Sequence, residues 1–165
     1  MAAPQRYSVL VSKEYLKFSS GHFIAYPGFR EPLHGHNYQV SVRLEAELGP
    51  DGYVLDFGVV KRVTRELCAE LDDHTIIPER SGCIAITIDD ATVTMVTEDG
   101  SRFVLPRIDC VVLPIEHSSA EEIAAWMLDR LATRLRAEVG GRTITMIELG
   151  VAEAPGQVAY CRRTH

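Results

Sequence analysis

Three of the six histidines lie within fifteen residues of one another and could bind a metal ion. His34 and His36 flank Gly35 at the start of a predicted strand, where residues two apart point to the same side. His22 lies on an adjoining β-rich segment and could supply a third nitrogen. Three neutral imidazoles leave the fourth position of a zinc ion open for water or substrate, as in catalytic zinc sites. The alternative interpretation is that these histidines are polar residues around a loop or a surface turn.

A second candidate, for proton transfer, follows the first predicted helix. Asp73 and His74 are adjacent there, so a carboxylate could lie beside an imidazole whose pKa is close to neutral pH. Such a pair suits general acid or base catalysis. Solvated residues at the end of a helix would explain the same dipeptide, so both interpretations stay open.

Glu153 is a candidate for binding a planar polar group. It ends a predicted strand that is otherwise lined by apolar side chains on one face. A carboxylate at this place could form paired hydrogen bonds with a guanidine-like group. It could equally be the solvent-facing end of the strand.

Alternating apolar and polar residues predict four strands that must position these side chains. In the first, from Tyr7 to Ser20, the apolar residues change from odd to even positions, which predicts a bulge between Ser12 and Tyr15. The second, from Asn37 to Leu48, alternates without a break and predicts one core face and one polar face. The last two are predicted at residues 143–153 and 157–163, joined by a short turn.

Two helices are predicted between the second and third of these strands. The first begins at the N-cap Asp56 and ends near Asp72. The second begins at Ser119, which forms a capping box with Glu122, and ends before Gly140. This order of elements predicts an α+β fold, with both helices on one face of an antiparallel four-stranded sheet.

The region between the helices contains additional β-forming segments. Residues 83–89 and 91–105 are of this kind, and the second segment contains a turn signal at residues 98–101. We interpret residues 82–107 as an inserted β-hairpin. The length of 165 residues suits one domain, so we predict a single domain over residues 1–165 that includes this insertion.

Composition and charge argue against several classes of protein. Hydrophobic residues make up 46% of the chain and charged residues 24%, which argues against disorder. The 17 Lys and Arg against 23 Asp and Glu give a net charge of −6, so we expect neither nucleic acid nor a membrane surface as a partner. No apolar run has membrane-spanning length and the first residues lack a signal-like apolar stretch, so we expect a cytoplasmic location. The four cysteines are scattered, and we expect free thiols.

Five motifs occur together in the order and approximate spacing of a known family. They are Phe18–Phe23 (FSSGHF), Leu33–Tyr38 (LHGHNY), Val54–Phe57 (VLDF), Leu71–His74 (LDDH) and Glu153. The chain resembles the 6-pyruvoyltetrahydropterin synthase family, which includes the 6-carboxytetrahydropterin synthases of queuosine synthesis. The resemblance covers nearly the whole chain except residues 82–107, where this sequence is longer. It implies a tunnelling fold, in which trimers close a β-barrel and pair into hexamers with active sites between subunits.

The resemblance also implies roles for individual residues. By this resemblance the zinc ligands are His22, His34 and His36, the catalytic pair is Asp73 and His74, and the residues at the pterin are Glu153, Ser119 and Glu121. The implied cofactor is therefore a zinc ion, and the implied partner is a small pterin substrate.

The chain departs from the family at one catalytic position. The family's catalytic cysteine stands four residues before the first histidine of His-Gly-His, and Arg30 occupies that place here. The following Glu31 gives the pattern Glu-x-x-His-Gly-His, which resembles the glutamate (type III) variant of the family. That variant makes 6-hydroxymethyl-7,8-dihydropterin for folate synthesis. We therefore expect Glu31 to be the catalytic base, and Arg30 to contact the substrate's triphosphate or to be a solvated loop charge.

The resemblance predicts a zinc-dependent lyase acting on 7,8-dihydroneopterin triphosphate. Two other lyase reactions are possible on the same scaffold, those of the 6-pyruvoyl- and 6-carboxytetrahydropterin synthases. A non-catalytic pterin-binding protein is the alternative of a different class, because one catalytic position departs from the family pattern.

Overall fold

The computed structural model describes residues 5–165. In chain order, its elements are strands β1 (Tyr7–His22), β2 (Ala25–Tyr26), β3 (Phe29–Arg30) and β4 (His34–Ala46), helix α1 (Phe57–Leu71), strands β5 (His74–Pro78), β6 (Ile84–Ile88), β7 (Thr92–Thr97) and β8 (Arg102–Pro106), a short 3-10 helix (Arg107–Asp109), strand β9 (Cys110–Leu113), helix α2 (Ala120–Glu138), and strands β10 (Ile144–Ala154) and β11 (Gln157–Thr164).

The main sheet has six strands in the order β11-β10-β4-β1-β5-β9. The first four strands pair antiparallel with one another, which confirms the predicted antiparallel four-stranded sheet. Two short strands that were not predicted extend it, since β5 pairs parallel to β1 and β9 pairs parallel to β5. Both helices pack against one hydrophobic core with the sheet, which confirms the α+β fold. Among residues 5–165, neither helix has the length and apolar character needed to span a bilayer.

The predicted bulge in β1 is present and decides which side chains face the core. Pairing with β4 shifts register between Ser12 and Lys17. The Gln39 side-chain amide donates a hydrogen bond of 2.8 Å to the Lys13 carbonyl oxygen, inside the shifted segment. Beyond the shift, Phe18 and His22 are both buried, because they lie at even positions on the same face of the strand. The bulge therefore places His22 on the core face.

The two helices begin at the predicted N-caps, with one difference. The Asp56 carboxylate accepts the Gly58 N–H at 2.7 Å, and the Ser119 hydroxyl accepts the Glu122 N–H at 3.3 Å. The predicted capping box is not completed, because the Glu122 carboxylate accepts the N–H groups of the preceding loop, at Glu116 and His117. Glu122 thereby fixes the loop that leads into α2.

Replacing Asp56 by alanine should lower the free energy of unfolding by about 1 kcal/mol, because the N-terminal N–H of α1 loses its acceptor. Urea denaturation followed by circular dichroism measures the change. Asp90→Ala is the matched control, since the Asp90 side chain is exposed and makes no hydrogen bond to the rest of residues 5–165. Equal stabilities of the Asp56→Ala variant and the unchanged protein would contradict the capping role.

The insertion forms a three-stranded sheet, β6-β7-β8, where a hairpin was predicted. Ile84 pairs with Thr97 and Ile88 with Val93, so β6 joins the predicted pair as a third strand. The apolar face of this three-stranded sheet packs into a second hydrophobic cluster together with Phe23. Phe23 directly follows His22 in the chain. The four cysteines are free, as expected.

Candidate metal centre and active site

Strands β1 and β4 bring the three candidate ligands together at one end of the sheet. His22 lies opposite His34 in the pairing register, and His36 follows two residues later along β4. One ring nitrogen from each of the three histidines lies within 4.8 Å of the others. The ring centroid of His22 is 4.6 Å from that of His34 and 5.2 Å from that of His36. The predicted convergence of the three imidazoles is therefore present, and the group could hold a metal ion.

Backbone carbonyls orient two of these rings. The Nδ1 atom of His22 lies 2.7 Å from the Ser118 carbonyl oxygen, and Nδ1 of His34 lies 2.8 Å from the Pro32 carbonyl oxygen. Because a carbonyl only accepts, each Nδ1 carries the proton and each Nε2 keeps a free lone pair. A hydrogen bond from the second ring nitrogen to a carbonyl is the usual support for a metal-binding histidine.

His22 supplies the test of whether these residues fit a metal. Its Nε2 atom is buried and has no hydrogen-bond partner among residues 5–165. Burial lowers the pKa of His22, and the neighbouring His34 and His36 lower it further, against an opposing effect of the Ser118 carbonyl and Glu153. The ring is therefore neutral at neutral pH, which is the form that binds a metal. An unpaired buried lone pair facing two other imidazoles fits a divalent ion that prefers nitrogen ligands.

Tyr38 lies beside the three histidines and was not predicted as a site residue. Its fully buried ring stacks on Phe18 at 4.7 Å and lies edge-on to His22 and His36, at 5.9 and 5.4 Å. Its hydroxyl has no partner among the described residues. Burial raises the pKa of Tyr38, and the charge of Glu153 adds to the effect, so the phenol stays protonated. Tyr38 lies two residues after His36 on a strictly alternating strand, so the sequence pattern already indicated that both side chains share one face.

Glu153 lies on the same side of the sheet as the histidines. It follows Ala152, which pairs with Gln39 of β4, so Glu153 comes beside Tyr38. It is half-buried and close enough to His22 for their charges to interact. Its carboxylate accepts no hydrogen bond from residues 5–165, although a half-buried carboxylate needs donors.

Glu31 is held next to the backbone of the segment that leads away from His22. The Ile24 N–H donates to Oε2 of Glu31 at 3.0 Å, and the Glu31 N–H donates to the Ile24 carbonyl oxygen at 2.9 Å. Its charge is close enough to contribute to the raised pKa of Tyr38. The side chain is half-buried, and Oε1 accepts no hydrogen bond within the described part of the chain.

Asp73 and His74 reach the sheet through a turn fixed to β1. The Asp72 carboxylate accepts the Ser19 N–H at 2.7 Å, and the Asp73 N–H donates to the Ser19 carbonyl at 2.8 Å. Asp73 takes a left-handed backbone conformation with φ 58°, which aspartate tolerates better than most residues. His74 uses Nδ1 for the Asp72 carbonyl at 2.6 Å, so Asp73 does not orient it through this nitrogen.

Asp73 and His74 share a cavity of about 470 Å³ with His36 and Asn37. Glu31 does not line this cavity. The described chain therefore places Asp73 and His74 next to one metal-ligand candidate, His36.

The remaining predicted site residues have other partners. Ser119 caps α2 with its hydroxyl, and Glu121 is exposed in the first turn of that helix. Arg30, expected at a triphosphate, donates from Nε to Asp99 and from its two terminal nitrogens to the Glu31 carbonyl and the Ser101 hydroxyl. All three guanidinium nitrogens are therefore bound to protein oxygens.

Comparison with known proteins agrees with this arrangement. The family model for 6-pyruvoyl tetrahydropterin synthase matches residues 11–164. A Methanocaldococcus jannaschii protein with the provisional name 6-carboxy-5,6,7,8-tetrahydropterin synthase is 33% identical over 90% of both chains.

Solved structures give the same result. The 6-pyruvoyl tetrahydropterin synthase of Plasmodium vivax superposes with a TM-score of 0.94 and 39% identity, over 98% of this chain and 99% of that one. The Plasmodium falciparum enzyme of the same name has a TM-score of 0.93 and 37% identity, over 97% and 99%. Two solved variants of the P. vivax protein replace a glutamate, described as a catalytic residue, by alanine and by cysteine. The chain belongs to the 6-pyruvoyl tetrahydropterin synthase family, whose function lies in pterin metabolism.

Proposed function

We propose that this protein is a zinc-dependent lyase that converts 7,8-dihydroneopterin triphosphate into 6-hydroxymethyl-7,8-dihydropterin. The observation that carries the proposal is the Glu31 carboxylate, held by the Ile24 N–H on the segment that joins His22 to His34. The family's cysteine position holds Arg30, so a carboxylate replaces a thiol as the base. The catalytic glutamate of the similar P. vivax protein supports this assignment.

The metal would be held by the Nε2 atoms of His22 and His34 and by a ring nitrogen of His36. When bound, a zinc ion would act as a Lewis acid toward an oxygen of the substrate. Three imidazole ligands without thiolates support zinc, and they leave a coordination position free.

Glu31 acts on the substrate side chain, whose first two carbons each carry a hydroxyl. Glu31 takes the proton from the hydroxyl on the second carbon, and the bond between the first and second carbons breaks in a retro-aldol sense. The second carbon leaves as a triphosphorylated two-carbon aldehyde. The electron pair of the broken bond moves into the dihydropterin ring, and His74 returns a proton to the first carbon, which leaves a hydroxymethyl group.

Glu153 anchors the pterin by accepting hydrogen bonds from its amino group and ring N–H. Its half-buried carboxylate without a protein donor supports this role. Ser119 and Glu121 remain proposed neighbours of the pterin through their place at the start of α2.

Glu153→Ala should raise the dissociation constant for neopterin about ten- to a hundredfold, because a hydrogen bond to a charged group contributes about 1.5–3 kcal/mol. Isothermal titration calorimetry measures it. Glu153→Gln is the matched control, because it keeps the shape of the side chain and one acceptor. Its dissociation constant should lie between those of the unchanged protein and of Glu153→Ala. Unchanged affinity in the alanine variant would make Glu153 an ordinary strand-end carboxylate.

We further propose that copies of the chain form a hexamer as a dimer of trimers. Strand β11 supports this, because β10 is its only strand partner among residues 5–165 and its outer edge has hydrogen-bonding groups free for another copy.

The names of similar proteins favour two other reactions. The archaeal relative favours 6-carboxytetrahydropterin formation, and the Plasmodium enzymes favour 6-pyruvoyltetrahydropterin formation. Mass spectrometry of the product made from 7,8-dihydroneopterin triphosphate by zinc-loaded protein separates all three, because the products differ in mass. Binding without turnover would identify a non-catalytic pterin-binding protein.

A further inference from the structure

The loop from Phe23 to Arg30 joins metal-ligand candidate His22 to Glu31 and is fastened to the inserted sheet. Phe23 is buried in the second hydrophobic cluster and stacks on Phe103 of β8, with ring centroids 4.9 Å apart. Near the loop's tip, the Gly28 N–H donates to the Glu98 carboxylate at 3.0 Å. The insertion therefore holds this loop by its apolar start and by its tip.

Arg30 makes the third attachment, next to the proposed base. Its guanidinium donates to Asp99 at 3.1 Å and to the Ser101 hydroxyl at 3.2 Å, and lies over the Phe103 ring at 5.4 Å from the centroid. The same group donates at 2.9 Å to the carbonyl oxygen of Glu31. One planar side chain thus connects the insertion to the backbone of Glu31.

The turn that receives Arg30 is itself well ordered by hydrogen bonds. Oδ1 of Asp99 accepts the Thr97 hydroxyl at 2.6 Å and the Ser101 N–H at 2.9 Å, which leaves Oδ2 for Arg30. Hydrogen bonds from Thr97 and Ser101, with a smaller effect of Arg30, hold the pKa of Asp99 well below its usual range. The carboxylate is therefore charged at any pH at which an enzyme of this kind works.

We propose that the inserted sheet is a clamp that positions Glu31, with Arg30 and Asp99 as positioning residues. The Glu31 side chain has several rotatable bonds and a single hydrogen bond to its carboxylate, so the direction of its backbone decides where the base lies. A shift of about 1 Å in a reacting group can lower the rate about a hundredfold. The inference rests on the proposed function, in which Glu31 is the base.

The test is Asp99→Asn in the zinc-loaded full chain. We expect kcat for 7,8-dihydroneopterin triphosphate to fall about 10- to 100-fold, because the base is misplaced. KM should stay within about twofold, since substrate-binding groups are unchanged. Zinc content should stay the same. The Ile24 N–H, which donates to the Glu31 carboxylate, and the Glu31 N–H, which donates to the Ile24 carbonyl, should both exchange hydrogen faster.

Asp89→Asn is the matched control. Asp89 orders the turn at the opposite end of β7, where its Oδ1 accepts the N–H groups of Ala91 and Thr92 and its Oδ2 accepts the Thr92 hydroxyl at 3.0 Å. Asparagine keeps an acceptor for the two N–H groups and loses the second carboxylate oxygen, which is the change made at Asp99, and it does not touch Arg30. We expect it to leave kcat and the exchange of the Ile24 and Glu31 amides unchanged. Arg30→Met should lower kcat at least as much as Asp99→Asn, because it also removes the bonds to Ser101 and to the Glu31 carbonyl. The double variant should match Arg30→Met, since Asp99 acts on the loop through Arg30.

Two results would overturn the clamp. Asp99→Asn could leave both kcat and amide exchange unchanged, or Asp89→Asn could lower kcat and speed exchange as strongly. Failure of the proposed function gives a different pattern, because Glu31→Gln then keeps full turnover. Hydrogen exchange of the Ile24 and Glu31 amides in Asp99→Asn still reports, in that case, whether Asp99 fixes the loop.

Discussion

Glu31→Gln should lower turnover of 7,8-dihydroneopterin triphosphate by about 10²- to 10⁴-fold, the range for loss of a positioned general base. Glutamine keeps the shape of the side chain, and its amide oxygen can still accept the Ile24 N–H. The variant should therefore fold, keep its metal and bind neopterin with unchanged affinity, while it cannot take up a proton. Steady-state kinetics with mass analysis of the product measures the effect.

The control for this variant is Glu14→Gln, because Glu14 is an exposed glutamate in the bulge of β1. It should keep full turnover. Retained turnover in Glu31→Gln would remove Glu31 from the reaction. A 6-pyruvoyl or 6-carboxy product from the unchanged protein would assign it to one of the alternative reactions.

The parts of the fold that depend on local pattern could be predicted from the sequence. Strict alternation in β4 gave its two faces, and the change of parity in β1 gave the bulge near Ser12. Strands β5 and β9 were missed because they are short: one is a run of adjacent buried residues (Ile76–Pro78) and the other (Cys110–Leu113) does not alternate. Such runs give no period that separates a strand from a buried loop.

The site was predictable as far as its residues lie on paired strands. His22, His34 and His36 converge because strand register is set locally by the same alternation that buries the core. The partner of Arg30 was not predictable, because Asp99 is 69 residues away and belongs to the insertion. The Ser118 carbonyl that orients His22 was missed for the same reason, at a separation of 96 residues.

His36→Ala should remove both the metal and the activity. The variant keeps two of the three imidazoles, whereas a zinc site with one open position normally needs three protein ligands. The metal content should therefore fall from one ion per subunit to a small fraction of that. Metal analysis after dialysis measures it, alongside turnover. His74→Ala is the informative control, because His74 lies in the same cavity as His36 but outside the ligand group, and should keep the metal while losing activity.

The metal-free protein should nevertheless stay folded. The three histidines lie at one end of a sheet whose strands β1 and β4 are paired along most of their length. The main hydrophobic core is built from apolar side chains of this sheet and of both helices, which do not depend on a metal. Chelation should therefore abolish turnover and leave a native circular dichroism spectrum with a cooperative melt, shifted only by the lost binding energy. A metal-free protein with full activity would contradict the assignment of the metal to catalysis. A His36→Ala variant that keeps one ion per subunit would contradict the assignment of the ligands.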